Sequence, residues 1–236
     1  MSKEHVVITG GTCGLGLAMA KHLAGLNYAV TVIGRNYTPE IDAVIAEHQD
    51  VRCIEWDLTN LAMLPQLMRP LHRPIFALIN NAGIGTSGVL YMMDSEKIEY
   101  LIKLNLTVPI ILTKLVLSDM LAGYNGRIIN ISSIVATDGF QGLAAYSASK
   151  AGLLGFTRSL AREVGPANIT VNAIAPGFLD TEMTHDMNEK QREQIVRRSA
   201  LRRLANPEDI ASTVAFLLQA SNITGQVLTV DAGNTT

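Results

Sequence analysis

Short apolar runs alternate with longer amphipathic ones along the whole chain. His5–Gly10, Ala29–Gly34, Val51–Trp56, Ile75–Asn80, Arg127–Ile131, Ile169–Ala175 and Gln226–Val230 are brief, often β-branched and nearly free of polar interruption. That pattern predicts strands covered on both faces. Between them, Leu15–Leu26, Glu40–His48, Leu61–Met68, Ser95–Leu121, Tyr146–Val164 and Pro207–Leu218 carry helical spacing. Strands alternating with helices predict right-handed βαβ units, hence an α/β fold with a doubly wound parallel sheet in three layers. No linker, repeat or low-complexity tract interrupts the alternation, so residues 1–236 are expected to form a single domain. Thr181–Arg203 departs from the pattern. It is polar, rich in Met, Arg and Glu, and lacks a strand, which predicts an excursion from the sheet and a candidate substrate lid.

With 48% hydrophobic residues, 17% charged and a mean hydropathy of +0.23, the chain can fill a large core and still leave apolar surface for subunit contact. A formal net charge of −2 offers no attraction to nucleic acid or an anionic membrane, so neither is an expected partner. Cys13 and Cys53 form neither a CxxC pair nor a metal-ligand spacing, which fits a reducing cytoplasm and no bound metal. The first strand begins at His5, with no signal peptide ahead of it. The longest apolar run, Leu104–Leu117, is broken by Asn105, Pro109 and Lys114 and is too short and polar to span a bilayer. It reads as a core or interface helix.

After the first strand stands Thr9-Gly10-Gly11-Thr12-Cys13-Gly14-Leu15-Gly16, which opens an apolar helix. Glycines at 10, 14 and 16 let the turn close and let backbone amides approach a pyrophosphate, with Thr12 and Leu15 in the same turn. The spacing is looser than G-x-G-x-x-G, but the strand before it and the helix after it supply the context a dinucleotide site needs. The second strand ends Ile33-Gly34-Arg35. A carboxylate there would hold the ribose 2′-hydroxyl of NAD(H). Gly34 removes it and Arg35 offers charge to a 2′-phosphate, so NADP(H) is expected over NAD(H), unless Arg35 is a solvated loop residue. Asp57-Leu58, closing the third strand, either reaches the adenine edge or leaves Asp57 to cap the next helix.

Asn80-Asn81-Ala82-Gly83, Ile131-Ser132-Ser133 and Pro176-Gly177, with Thr181 beyond, end three further strands on the edge where open α/β sheets bind ligands. Asn105 lies inside a helical pattern, where asparagine competes for backbone hydrogen bonds; it is either a tolerated surface residue or a functional polar group. Tyr146 and Lys150, four residues apart, share one helix face. The cation is expected to lower the phenol pKa from about 10, making Tyr146 a usable acid near neutral pH.

In order and spacing, Thr9–Gly16, Asn80–Gly83, Asn105, Ser133, Tyr146 with Lys150, and Ala175-Pro176-Gly177 resemble the short-chain dehydrogenase/reductase family over the whole chain. Tyr146–Val164, Ala175–Met183 and Asn206–Gly233 further resemble its bacterial 3-oxoacyl-[acyl-carrier-protein] reductases of fatty-acid synthesis. The resemblance implies a Rossmann-type fold and NADPH-dependent reduction of a 3-oxoacyl thioester carried on acyl carrier protein. It implies that Tyr146 protonates the carbonyl oxygen, that Lys150 lowers the tyrosine pKa and holds the nicotinamide ribose, and that Ser133 hydrogen-bonds the same carbonyl. Ser132 is a rival for Ser133, which the spacing to Tyr146 favours. Asn105 is implied to support a water relaying protons from Lys150. Asn81, Ala82, Gly83, Pro176, Gly177 and Thr181 are implied to line the cofactor.

Two departures bear on these implications. Relatives that use the carrier often place basic residues before the fifth and sixth strands, whereas here only Arg127 is basic there; arginines 192, 197, 198, 202 and 203 offer another positive patch or a solvated helix face. Cys13 stands where many NADPH-using relatives carry a basic residue. The alternatives are a reductase of a polyketide, free ketone or sugar, and a catalytically idle nucleotide-binding protein. Apolar residues beyond one stripe (Leu101, Leu104, Ile110 and Leu115; Leu153, Leu154, Phe156 and Leu160) predict helix-to-helix interfaces and, with the resemblance, a homotetramer.

Overall fold

The computed structural model describes residues 3–179 and 189–236. Its strands are β1 (His5–Thr9), β2 (Ala29–Gly34), β3 (Val51–Glu55), β4 (Ala77–Asn80), β5 (Gly126–Ile131), β6 (Ile169–Pro176) and β7 (Val227–Val230). All pair in parallel, in the order β3-β2-β1-β4-β5-β6-β7. The helices are α1 (Gly14–Gly25), α2 (Pro39–Glu47), α3 (Leu64–Leu67), α4 (Ser95–Ile102), α5 (Val108–Gly123), α6 (Ala144–Val164), α7 (Glu189–Arg198) and α8 (Pro207–Gln219).

The near-continuous apolar strands follow from this sandwich. In β1, Val6 and Ile8 enter the core under α1, α2 and α8, with Met19, Leu23, Ile41, Ile210 and Val214. Val7 enters the opposite core under α3, α5 and α6, with Leu64, Leu112, Val116 and Leu160. Successive residues point to opposite faces, and both faces are dry. Each fully buried Leu or Ile contributes about 2 kcal/mol, so neither face tolerates a polar substitution. The fold is the expected Rossmann-type doubly wound sheet.

The predicted helix Ser95–Leu121 is realised as α4, a π-turn over Lys103–Thr107, and α5. Pro109 follows directly after the π-turn, where its missing N–H withholds a helical hydrogen bond from the preceding turn. Together these elements run Ser95–Gly123, longer than the apolar run Leu104–Leu117 suggested, and among the described residues form the helix long and apolar enough to cross a membrane. Its most apolar stretch is 44% buried, and Leu101, Leu104, Leu112 and Val116 of these elements are buried within the chain.

Of the residues expected to form a second, intermolecular face, Leu101, Leu104, Leu153, Leu154 and Leu160 are buried within the chain. Their stripe is satisfied where α4 and α6 pack together. Ile110 remains exposed, with Leu115 and Phe156 partly so.

Candidate active site

Strand order reverses between β1 and β4, which opens a crevice at the C-terminal edge of the sheet. The turn after β1 needs its glycines: Gly10 and Gly14 have φ of +65° and +52°. A Cβ on Gly16 would lie 2.0 Å from the Gly10 carbonyl oxygen. The turn is lashed to β4 by two residues. Thr9 Oγ1 accepts from the Asn81 and Ala82 N–H groups at 3.0 and 2.9 Å, and Asn81 Nδ2 donates to the Thr9 and Gly10 carbonyls at 2.9 and 3.0 Å. Sequence reasoning assigned no role to Thr9, although a hydroxyl ending a buried strand was the available signal.

This turn delivers α1 with its N-terminus open. Its N-cap, Cys13, makes no side-chain cap and its first turn holds no acid, whereas Thr38 Oγ1 caps α2. The first N–H groups of α1 are therefore placed to receive an anion, with the helix dipole behind them, which fits a pyrophosphate. Leu15 is part-buried in that first turn. A Cβ on Gly34 would meet the buried Thr12 side chain at 2.6 Å, so a carboxylate-bearing residue there would have to displace Thr12. Arg35, next along, is exposed.

Asp57 and Leu58 follow β3 on the ligand-binding edge of the sheet, where the adenine contact stays an expectation. Asp57 Oδ1 accepts from the Thr59 N–H and hydroxyl at 2.9 and 2.8 Å, and these bonds hold its carboxyl below the usual range. It closes its own turn, while Leu58 is buried in the core with Leu64 and Leu67.

Ser133 follows β5, and Tyr146 lies in the first turn of α6. The Ser133 hydroxyl accepts from the Val135 N–H at 3.3 Å and faces the Tyr146 hydroxyl, whose pKa it pulls down. Lys150, one turn further on, is 4% exposed; its Nζ donates to the Ile131 carbonyl at 2.9 Å and lies 5.8 Å from the centre of the Tyr146 ring. Ser132 Oγ donates to the Lys150 carbonyl at 3.0 Å, so it fastens α6 to β5 and does not compete for the site.

The expected effect of Lys150 on Tyr146 is not what this geometry gives. Burial of the phenol pushes its pKa up, and only Ser133 pulls it down. Burial likewise lowers Lys150 to about 8. Both groups are short of solvent, and desolvation outweighs their mutual attraction at this separation.

Asn105 sits at the middle of the π-turn and is fully buried. Its Oδ1 accepts from the Ile84 N–H at 2.9 Å, while Nδ2 donates to the Ile84 carbonyl at 2.9 Å and to Ser149 Oγ at 3.2 Å. Ser149, in turn, donates to the Tyr146 carbonyl at 2.7 Å. A Cβ on Gly83 would stand 3.1 Å from Asn105 Oδ1 and 3.4 Å from Lys150 Nζ, so glycine keeps the space between them open. A π-turn inside an α-helix commonly marks a functional position.

Two loops and the end of β6 form the mouth. The Gly88 N–H donates to the Gly142 carbonyl at 2.9 Å, and Phe140 and Phe178 meet edge to face at 6.1 Å. Val89, Leu90, Tyr91 and Met92 are exposed beside them. Pro176 ends β6, and Gly177 packs so closely that a Cβ would lie 2.5 Å from Asp231 Cβ. Thr181, and with it part of the candidate lid, lies outside the described residues.

A short chain dehydrogenase profile matches residues 4–192. The chain belongs to that family. The 3-oxoacyl-[acyl-carrier-protein] reductase of Rickettsia bellii is 39% identical over 236 residues, spanning 99% of this chain and 97% of the relative. Carbonyl reductase family member 4 of Xenopus laevis is 40% identical over 235 residues, spanning 99% and 98%. A solved structure assigned as an NAD(P) dependent gluconate 5-dehydrogenase from Beutenbergia cavernae, with NADP bound at low occupancy, matches with a TM-score of 0.93 at 31% identity, over 99% and 97% of the two chains.

This short-chain dehydrogenase is an NAD(P)-dependent oxidoreductase working between a CH–OH group and a ketone. Its Arg127 is not a docking residue. It is 7% exposed, donates through Nε to the Leu218 carbonyl at 3.0 Å and stacks 5.4 Å from the Phe76 ring centre. Asn168, ahead of β6, is exposed but neutral.

Proposed function

We propose that this protein reduces 3-oxoacyl thioesters to 3-hydroxyacyl thioesters with NADPH. The observation that carries the reading is Tyr146 one helical turn from buried Lys150, whose Nζ lies 5.8 Å from the phenol ring centre, with Ser133 alongside, on the edge where α1 opens toward a dinucleotide.

When bound, the nicotinamide supplies the hydride that reaches the ketone carbon. Everything else belongs to side chains. A ketone oxygen seated against Tyr146 and Ser133 accepts from both hydroxyls, which stabilise the negative charge that develops there. Tyr146 then gives its proton to that oxygen. Its raised pKa keeps it protonated through the neutral range, so it is a ready acid and not a standing phenolate. Lys150 is cationic below about pH 8 and holds the ribose hydroxyls, and its charge favours the phenolate left after transfer. Asn105, committed to Ile84 and Ser149, fixes the loop over Gly83 and keeps the space beside Lys150 open for proton return.

Exposed Arg35, next to Gly34 where a ribose-binding carboxylate would stand, supports NADPH over NADH. The apolar mouth at Phe140, Phe178, Val89 and Leu90 suits an acyl chain better than a polyol, which would leave its hydroxyls unpaired there. A simple ketone, as the carbonyl reductase relative suggests, is the second reading. The reading also takes the protein to be a homotetramer, with Ile110 and Leu121 among its exposed apolar residues.

Turnover of acetoacetyl thioester with each cofactor, beside gluconate-type and simple ketones, tests this. The expected result is thioester reduction with kcat/KM for NADPH at least about tenfold above NADH, the value of roughly one good charge contact. Preference for NADH would remove the role given to Arg35. Faster reduction of simple ketones than of the thioester would favour the second reading.

A further inference from the structure

Charge is spread unevenly along the chain. Residues 189–203 hold six basic residues against two acids, a local excess of four positive charges, while the chain as a whole carries −2 and the remainder therefore −6. Arg197 and Arg198 end α7, and Arg202 and Arg203 lie in the turn that leads to α8; all four are exposed.

The turn is held in place. The Arg202 guanidinium donates to the Arg197 carbonyl. Ser199 Oγ donates to the Ala232 carbonyl at 2.7 Å, and the Ala200 N–H donates to the Gly233 carbonyl at 3.1 Å, fixing the turn to the chain after β7. It also stands at the working edge of the sheet. Leu179, three residues beyond Pro176 at the end of β6, bridges to Ala205 just after the arginines. Arg203 borders a cavity of about 290 Å³, together with Arg192, Val196, Leu204 and Asn206. Positive charge is thus concentrated on the rim that carries Tyr146, and is missing from the starts of β5 and β6, where Arg127 is buried and Asn168 is neutral.

We propose that the α7–α8 turn, through Arg197, Arg198, Arg202 and Arg203, is the docking surface for an acidic acyl carrier protein that presents the thioester. The proposal rests on the reductase reading above. A patch of this sign on a chain otherwise net negative steers an acidic partner and repels it elsewhere, which orients the encounter as well as speeding it.

Steady-state kinetics with acetoacetyl–acyl carrier protein and with acetoacetyl-N-acetylcysteamine separate docking from chemistry. In R197E/R198E the KM for the carrier-borne substrate should rise at least about tenfold, with that for the small thioester within about twofold. R197K/R198K should restore the wild-type value. For the wild type, raising salt from about 0.05 to 0.5 M should raise only the carrier KM, because screening shortens to a few ångströms. Equal effects on both substrates, or no effect on either, would overturn the proposal. So would an equal loss with acetoacetyl-coenzyme A, which would make the patch a phosphate site. Reduction of the small thioester but not the carrier-borne one would sink the docking surface and leave the reductase standing. Reduction of neither would remove the reductase reading, and the docking surface with it.

Discussion

Replacing Tyr146 by phenylalanine lowers kcat for ketone reduction by about a thousandfold and leaves the NADPH dissociation constant within about threefold, the signature of a lost general acid. The ring stays, so its packing on α6 is kept. What goes is the hydroxyl beside Ser133 that gives the proton. Ser133 cannot replace it, because a serine hydroxyl has far too high a pKa to yield a proton at neutral pH. Cofactor titration by fluorescence and kcat from loss of absorbance at the nicotinamide band measure the two quantities separately. A variant that kept a tenth or more of its kcat would remove Tyr146 as the donor.

Replacing Gly16 by alanine is expected to remove the cofactor and much of the stability together. The added Cβ would lie 2.0 Å from the Gly10 carbonyl oxygen and 2.8 Å from Asn81 Nδ2, so the turn must open and the bonds of Asn81 to Thr9 and Gly10 must break. Neither neighbour is the loose end of a flexible chain. Overpacking of this kind costs about 3 kcal/mol, which for a chain of this length lowers Tm by about 6–12 °C. NADPH affinity should fall at least about a hundredfold, since the α1 N–H groups lose their aim. Calorimetry and a cofactor titration check both halves; a variant with unchanged Tm and Kd would show that the turn does not close as described.

The strand and helix segments and the Tyr146–Lys150 spacing were legible because their signals are local, whereas the strand order depends on pairings between distant segments. Buried parallel strands read as unbroken apolar runs, and Tyr146 with Lys150 needs only one turn of helix. Asn105 was legible as an oddity and not as a geometry. The π-turn that buries it depends on bonds to Ile84 and Ser149, which lie far off in sequence. The direction of the Tyr146 pKa was misread for a similar reason. Spacing shows the nearby cation, whereas desolvation depends on how the whole site closes over the hydroxyl. Five of the eight residues in the expected interface stripe pack within the chain, because an apolar face does not say whether its partner is another chain or the next helix. Arg127 was left open by sequence, since a basic residue starting a strand is seldom as deeply buried as this one.

The most direct test is the pH dependence of NADPH oxidation by acetoacetyl thioester under single-turnover conditions. Tyr146 is raised and so stays protonated across the neutral range, while Lys150 is charged below about 8 and neutral above it. The rate constant should therefore be level from about pH 6 to 7.5 and fall as pH passes about 8. A rate that climbed through that range, or no thioester-dependent oxidation at any pH, would contradict the account.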